Sequence, residues 1–140
     1  MAYPFAPITV SASATMDRDI HANGPVIKLA SASGLTISMP ATTGSGDVYK
    51  FYVATSVTSS VAKIAANSTD VIAGIADVVT DIGGVVIPTT ATSDYITLNG
   101  GTTGGIKGSW VELIDVASGT WSVTARLIST GAEATPFAAT

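Results

Sequence analysis

The chain has 140 residues, a net charge of −4, and only 11% charged residues against 46% apolar ones. Soluble domains average about 25% charged residues, and phosphate binding relies on clustered Lys and Arg. The six cations, Lys28, Lys50, Lys63, Lys107, Arg18 and Arg126, are scattered, which argues against nucleic acid, and the absence of cysteine removes disulfides and thiolate chemistry.

The length predicts one domain, with a folded accessible surface near ~6,700 Å² if the chain follows the usual scaling. So few charges leave a solitary molecule short of what keeps surfaces soluble, so much of the surface is expected to be covered in subunit contacts. The start Met1-Ala2-Tyr3-Pro4-Phe5 has no cationic region followed by an apolar run, so no secretory signal is read. Val71 to Val79, the most apolar stretch, is too short to cross a bilayer. A soluble protein made in a cytoplasm is expected, with no membrane partner.

Residues 1–23 read as an N-terminal arm, since Tyr3, Pro4, Phe5 and Pro7 make an extended start and Ser11 to Thr15 has no strong period. From Asn23-Gly24-Pro25 onward, over residues 24–129, short β runs alternate with turn residues. Val26 to Ala30 and Leu35 to Met39 flank Ser31-Ala32-Ser33-Gly34 and predict a hairpin, closed by Pro40, which has no ladder N–H. Asp47 to Ala54 predicts a strand with Tyr49, Phe51 and Val53 on one face and Val48, Lys50 and Tyr52 on the other. Because both faces carry rings, both are expected to be covered. Ser60 to Ala66 alternates again, and Asn67-Ser68-Thr69 turns the chain into Val71. The stretch to Ile82 also fits a helical period, through Val71, Ile75, Val78 and Ile82, although its β-branched content and Gly83-Gly84 favour strand.

Asp94 to Leu98 predicts a strand, Asn99 to Gly105 a glycine-rich loop, and Trp110 to Val116 a second strand. Ala117-Ser118-Gly119-Thr120 then predicts a hairpin loop, returning through Trp121 to Ile128. On the return, Trp121, Val123, Ala125 and Leu127 share a face opposite Ser122, Thr124 and Arg126, the alternation of a half-buried antiparallel strand. Residues 130–140 read as a C-terminal arm ending near Phe137. The fold class expected is all-β, an antiparallel β-sandwich or small β-barrel with extended N- and C-terminal arms.

Chemistry is thinly represented. One histidine leaves few ways to pair a nucleophile with a base. Asp17, Asp19 and His21 would share a face of a strand and could offer a metal two carboxylates and an imidazole; a solvated or salt-bridged segment around Arg18 is the simpler reading. Gly100 to Lys107 suggests a phosphate loop, but Ile106 stands where the motif requires lysine. Tyr49, Phe51, Tyr52, Trp110 and Trp121 could form a sugar-stacking platform, though core or interface packing is the commoner fate of such rings. The expectation is a protein that is not an enzyme, with no catalytic residues, cofactor or metal.

Three stretches carry a resemblance: Pro40-Ala41-Thr42-Thr43-Gly44-Ser45-Gly46-Asp47-Val48-Tyr49-Lys50-Phe51, Ala66-Asn67-Ser68-Thr69-Asp70-Val71-Ile72, and Trp110-Val111-Glu112-Leu113-Ile114-Asp115-Val116. With Gly119-Thr120-Trp121 and Ala134-Thr135-Pro136-Phe137 they make residues 26 to 137 resemble small tailed-bacteriophage virion proteins of the head decoration, cement or head-fibre kind. The resemblance implies a β-rich homo-oligomer, commonly a trimer, that sits on the capsid surface of a virion and contacts the major capsid protein over subunit junctions. Such a protein stabilises a shell by binding the assembled form alone. A head-fibre or tail-associated receptor- or carbohydrate-binding module is the alternative. Candidate contact residues are Tyr3, Phe5 and Phe137 in the arms, and Tyr52, Trp110 and Trp121 in the strands as core or subunit contacts.

Overall fold

The computed structural model describes residues 5–140. Alternating apolar residues give twelve strands among them: β1 (Ile8–Val10), β2 (Ala14–Thr15), β3 (Val26–Ala30), β4 (Thr36–Ser38), β5 (Val48–Thr55) and β6 (Ala62–Ala65), followed by β7 (Val71–Thr80), β8 (Gly83–Pro88), β9 (Tyr95–Leu98), β10 (Trp110–Ala117), β11 (Thr120–Ile128) and β12 (Phe137–Ala138). One helical turn, α1 (Arg18–His21), follows Asp17, whose carboxylate caps it by accepting the Asp19 N–H at 2.8 Å. Val71 to Thr80 is strand throughout, so β-branching outweighs the helical period there. Among the described residues no helix is long and apolar enough to cross a membrane.

The protein is all-β, built from a seven-stranded sheet in the order β1-β3-β5-β10-β11-β7-β8 and a five-stranded sheet in the order β12-β9-β6-β4-β2. Both are mixed, which corrects the antiparallel expectation: β1–β3, β3–β5, β7–β11, β2–β4 and β4–β6 run parallel. Residues of both sheets meet in one core, with Ile27, Phe51, Leu113 and Trp121 from the first and Ile37, Ile64, Ile96 and Leu98 from the second. The accessible surface is 6767 Å², the value expected of a compact monomer of this mass.

The first half is wound rather than folded into hairpins. From Ile8 to Ala65 the chain places strands alternately in the seven-stranded and five-stranded sheets, each parallel to the one before it in its own sheet. Successive turns stack apolar columns, Val10 on Leu29 on Val53 in one sheet and Ala14 on Ile37 on Ile64 in the other. The hairpin expected over residues 26–39 is therefore an arch: β3 and β4 lie in different sheets and do not pair. The turn signal at Ser31 to Gly34 was sound, but the chain turns across the core instead of back along the ladder. Gly34 lies at φ +80°, where a Cβ would stand 2.0 Å from the Val61 carbonyl oxygen, so the arch needs glycine at that point.

The second half is more local. β7–β8 and β10–β11 are hairpins of consecutive strands, and Trp121, Val123, Ala125 and Leu127 face the core as the alternation predicts. β8 has no counterpart among the sequence expectations. The glycine-rich loop wraps a side chain rather than an anion, since Asn99 Oδ1 accepts the N–H groups of Gly101, Thr102 and Thr103 at 2.8, 2.8 and 3.1 Å.

Arms were expected over 1–23 and 130–140, and among the described residues parts of both segments join the sheets. Ile8–Val10 pairs with β3, Ala14–Thr15 pairs with β4, and Val10 and Met16 are buried. At the other end Phe137–Ala138 pairs with β9 and buries the Phe137 ring. Edge strands this short show almost no period, so residues that complete a sheet read as unstructured in the sequence.

Candidate functional site

The outer face of the seven-stranded sheet is assembled by register. Odd and even positions point to opposite sides of a strand, so Tyr49, Phe51 and Val53 enter the core and Val48, Lys50 and Tyr52 face outward. Following the pairings across the sheet from Thr9 gives one transverse row: Thr9, Lys28, Tyr52, Trp110, Arg126, Asp77, Val86. At about 4.8 Å per strand, six steps span roughly 29 Å. Neighbours in the row make contact. The Tyr52 and Trp110 rings lie 4.9 Å apart at 55°, and Arg126 Nε stands 3.9 Å from Asp77 Oδ2. In the next row Lys50 faces Glu112 across the strands.

Toward its β7–β8 end the face becomes apolar, whereas Lys50, Glu112 and Thr124 occupy the adjacent row. Ile75, Val79, Trp110 and Ile128 are 52%, 40%, 40% and 36% exposed, and Val86 at the β8 edge is 65% exposed. Between β8, β7, β11 and the start of β10, Val79, Val86, Trp110 and Ile128 border a groove of about 550 Å³. The five-stranded sheet provides the contrast: its outward residues include Thr36, Ser38, Lys63 and Thr97 with Ala65 and Tyr95 among them. The Lys63 ammonium lies over the Tyr95 ring at 3.9 Å, and its strands expose no large aliphatic side chain, a more polar covering of the kind expected where a sheet side meets water. Left uncovered by the described residues, the cluster of aromatic and branched aliphatic groups on the seven-stranded sheet is the candidate interaction surface.

The sequence candidates are distributed as follows. Tyr52 and Trp110 lie together on the outer face. Trp121 is 1% exposed and belongs to the core, with its ring 5.6 Å from Tyr49 at 78°. Phe137, expected as a contact of an arm, is buried in the chain's own core. Phe5 is exposed, its ring lying against Gly24, and Tyr3 lies outside the described residues. Arg126, Asp77, Ile75 and Val86 complete the surface, and sequence reasoning missed all four. Arg126 stands beside Trp110 through the β10–β11 hairpin, whereas Asp77 and Ile75 reach the surface through the parallel pairing of β7 with β11 and Val86 through β8, which no sequence expectation covered.

Asp17, Asp19 and His21 do not form the strand face considered for a metal. They wind into the cap and turn of α1, with His21 Nδ1 2.9 Å from the Asp17 backbone N, and the described residues hold no group of three or more His, Asp or Glu arranged to ligate a metal.

At one end of the core, two carboxylates organise the loop from Pro40 to Asp47. Asp115 accepts the Thr43 and Gly44 N–H groups at 2.9 and 2.8 Å and the Ser45 hydroxyl at 3.0 Å. Burial alone would push its carboxyl up, but these donors outweigh burial and hold it below the ordinary range. Asp47 is likewise held low, first by the Arg18 guanidinium, which contacts it at 2.8 and 2.9 Å, and then by the Asn23 amide at 2.8 Å. Burial beside Asp47 pushes the Tyr49 hydroxyl up to about 12, so it stays protonated.

Comparison of the chain with protein-family models, with curated proteins and with solved structures finds no match.

Proposed function

We propose that this chain is a non-enzymatic structural protein of a phage virion, of the capsid decoration or cement type, which binds an assembled head and stabilises it. The observation that carries the reading is the cluster of exposed apolar residues at the β10–β11–β7–β8 end of the seven-stranded sheet's outer face, which has no counterpart on the strands of the five-stranded sheet. A face with Trp110, Tyr52, Ile75, Val79 and Val86 in view has the composition of an interface centre, aromatic and branched aliphatic with a few paired charges. The resemblance carried by residues 26 to 137 supplies the kind of partner: copies of the chain in a homo-oligomer such as a trimer, and the major capsid protein on the surface of the head. Two open sheets around one core support a β-sandwich over a closed barrel. Many modest contacts repeated on a lattice reach high avidity without any one being strong, and binding only to the assembled shell stabilises it by mass action.

Light scattering of the purified chain, followed by a sedimentation assay with isolated capsids, tests the proposal. A closed oligomer that saturates expanded heads is the expected result. A monomer that ignores them overturns it.

A further inference from the structure

Two polar atoms in the core have no hydrogen-bond partner among the described residues, Tyr49 Oη and Trp121 Nε1. Buried tyrosine and tryptophan ordinarily find partners for these atoms. Both residues line a cavity of about 370 Å³ at the end of the core, within the size range of small-molecule sites. Met16 and Pro40 give the cavity apolar wall, and Asp17, Arg18, Asp47 and Asp115 give it charge.

Most of that charge is already engaged. Asp47 is taken up by Arg18 and Asn23, and Asp115 by Thr43, Gly44 and Ser45. The Trp121 N–H and the Tyr49 hydroxyl are left without complements, together with the second carboxylate oxygen of Asp17, whose first oxygen caps α1. An anion is repelled by the three carboxylates, and a bare cation offers no acceptor to the Trp121 N–H, which can only donate. A hydroxyl group both donates and accepts, so it complements an N–H, an O–H and a carboxylate alike.

From this set we infer that the cavity is a binding site for a neutral polyhydroxylated molecule of about monosaccharide size, held at its edge by the Trp121 N–H and the Tyr49 hydroxyl. Stacking on a ring face is ruled out by the burial of both rings, each 1% exposed. Both polar atoms are shielded from solvent, so the ligand reaches them as the wall formed by Asp17 and Arg18 shifts. That wall is tied to the sheet by the Arg18–Asp47 ion pair at 2.8 Å. The site is independent of the assembly proposal, since it lies on the core side of the sheet and the apolar face lies on the other.

The test is a titration of the full ¹⁵N-labelled chain with a panel of monosaccharides and sugar alcohols and, separately, of oligosaccharides. The indole N–H resonance of Trp121 is followed, with that of Trp110 as the internal control. A saturable shift of Trp121 alone is expected, with affinity falling about 3- to 10-fold in Tyr49→Phe, a variant that loses only an unpartnered hydroxyl. Asp17→Ala, at the exposed rim, should weaken binding while leaving the core intact. Response to monosaccharides identifies a free sugar or polyol, and response to oligosaccharides alone identifies a glycan terminus. If Trp121 is unmoved across the panel, or both variants bind with the affinity of the unmodified chain, the two atoms do not hold the ligand and the inference fails.

Discussion

The seven-stranded sheet carries two Tyr–Trp pairs, one on each face, drawn from three adjacent strands. Tyr49 and Trp121 meet edge to face at 5.6 Å inside the core, while Tyr52 and Trp110 meet at 4.9 Å on the outside. Tyr49 and Tyr52 are three residues apart on β5, and an odd separation on a strand sends side chains to opposite faces. The same two residue types therefore do different work according to parity alone. The inner pair fills volume that the five-stranded sheet closes over. Among the described residues no second layer covers the outer pair, and the aliphatic residues beside it extend an apolar surface that the strands of the other sheet lack.

Truncating the inner pair should produce the largest effect. Trp121→Ala removes a fully buried indole and is expected to destabilise the chain by about 3–5 kcal/mol in urea unfolding; a loss near zero would mean that the five-stranded sheet does not close over this position. Asp115→Ala, at the same end of the core, leaves the Thr43 and Gly44 N–H groups without their acceptor and should cost about 2–3 kcal/mol.

Acid tests the same end more gently. Asp47 and Asp115 are held below their unfolded values, so the stability they contribute is fully present above the ordinary carboxylate value of about 4. It is lost as pH falls through their lower folded values. A denaturation midpoint that falls below about pH 4, with a smaller acid response in Asp115→Ala, is the expected outcome. The smallest effect on folding belongs to the outer pair: Trp110→Ala should change the stability of the isolated chain by less than about 1 kcal/mol, yet weaken self-association or shell binding by about 10-fold or more. The reverse order, a destabilised chain with intact assembly, would place Trp110 in the core's service and remove the distinction between the two faces.

Part of this was legible before any coordinates. Alternation placed β5, β6, β10 and β11 and separated the two faces of β5 and β11, because a half-buried strand writes its faces into every second residue; the expectation that both faces of β5 are covered fails at Lys50, which is exposed. Turn chemistry located Ser31 to Gly34 and Ser118-Gly119, but the first is an arch between sheets and the second a hairpin within one. Phe137 and Ile8 to Val10 read as arms because two or three residues of edge strand have no measurable period. The candidate surface was only half visible: Tyr52 and Trp110 were singled out, whereas Arg126, Asp77, Ile75 and Val86 were not.

The amino-acid sequence by itself determined an all-β chain, the two faces of β5 and β11, the β10–β11 hairpin and the poverty of charge, since these depend on residues close together in the chain. Which of the other strands pair, in which direction and across which sheet was decided only in three dimensions. Lys28, Tyr52, Trp110, Arg126 and Asp77 form one row because β3, β5, β10, β11 and β7 lie side by side, and such pairing is chosen by the burial of the whole core, with no short-range signal to announce it.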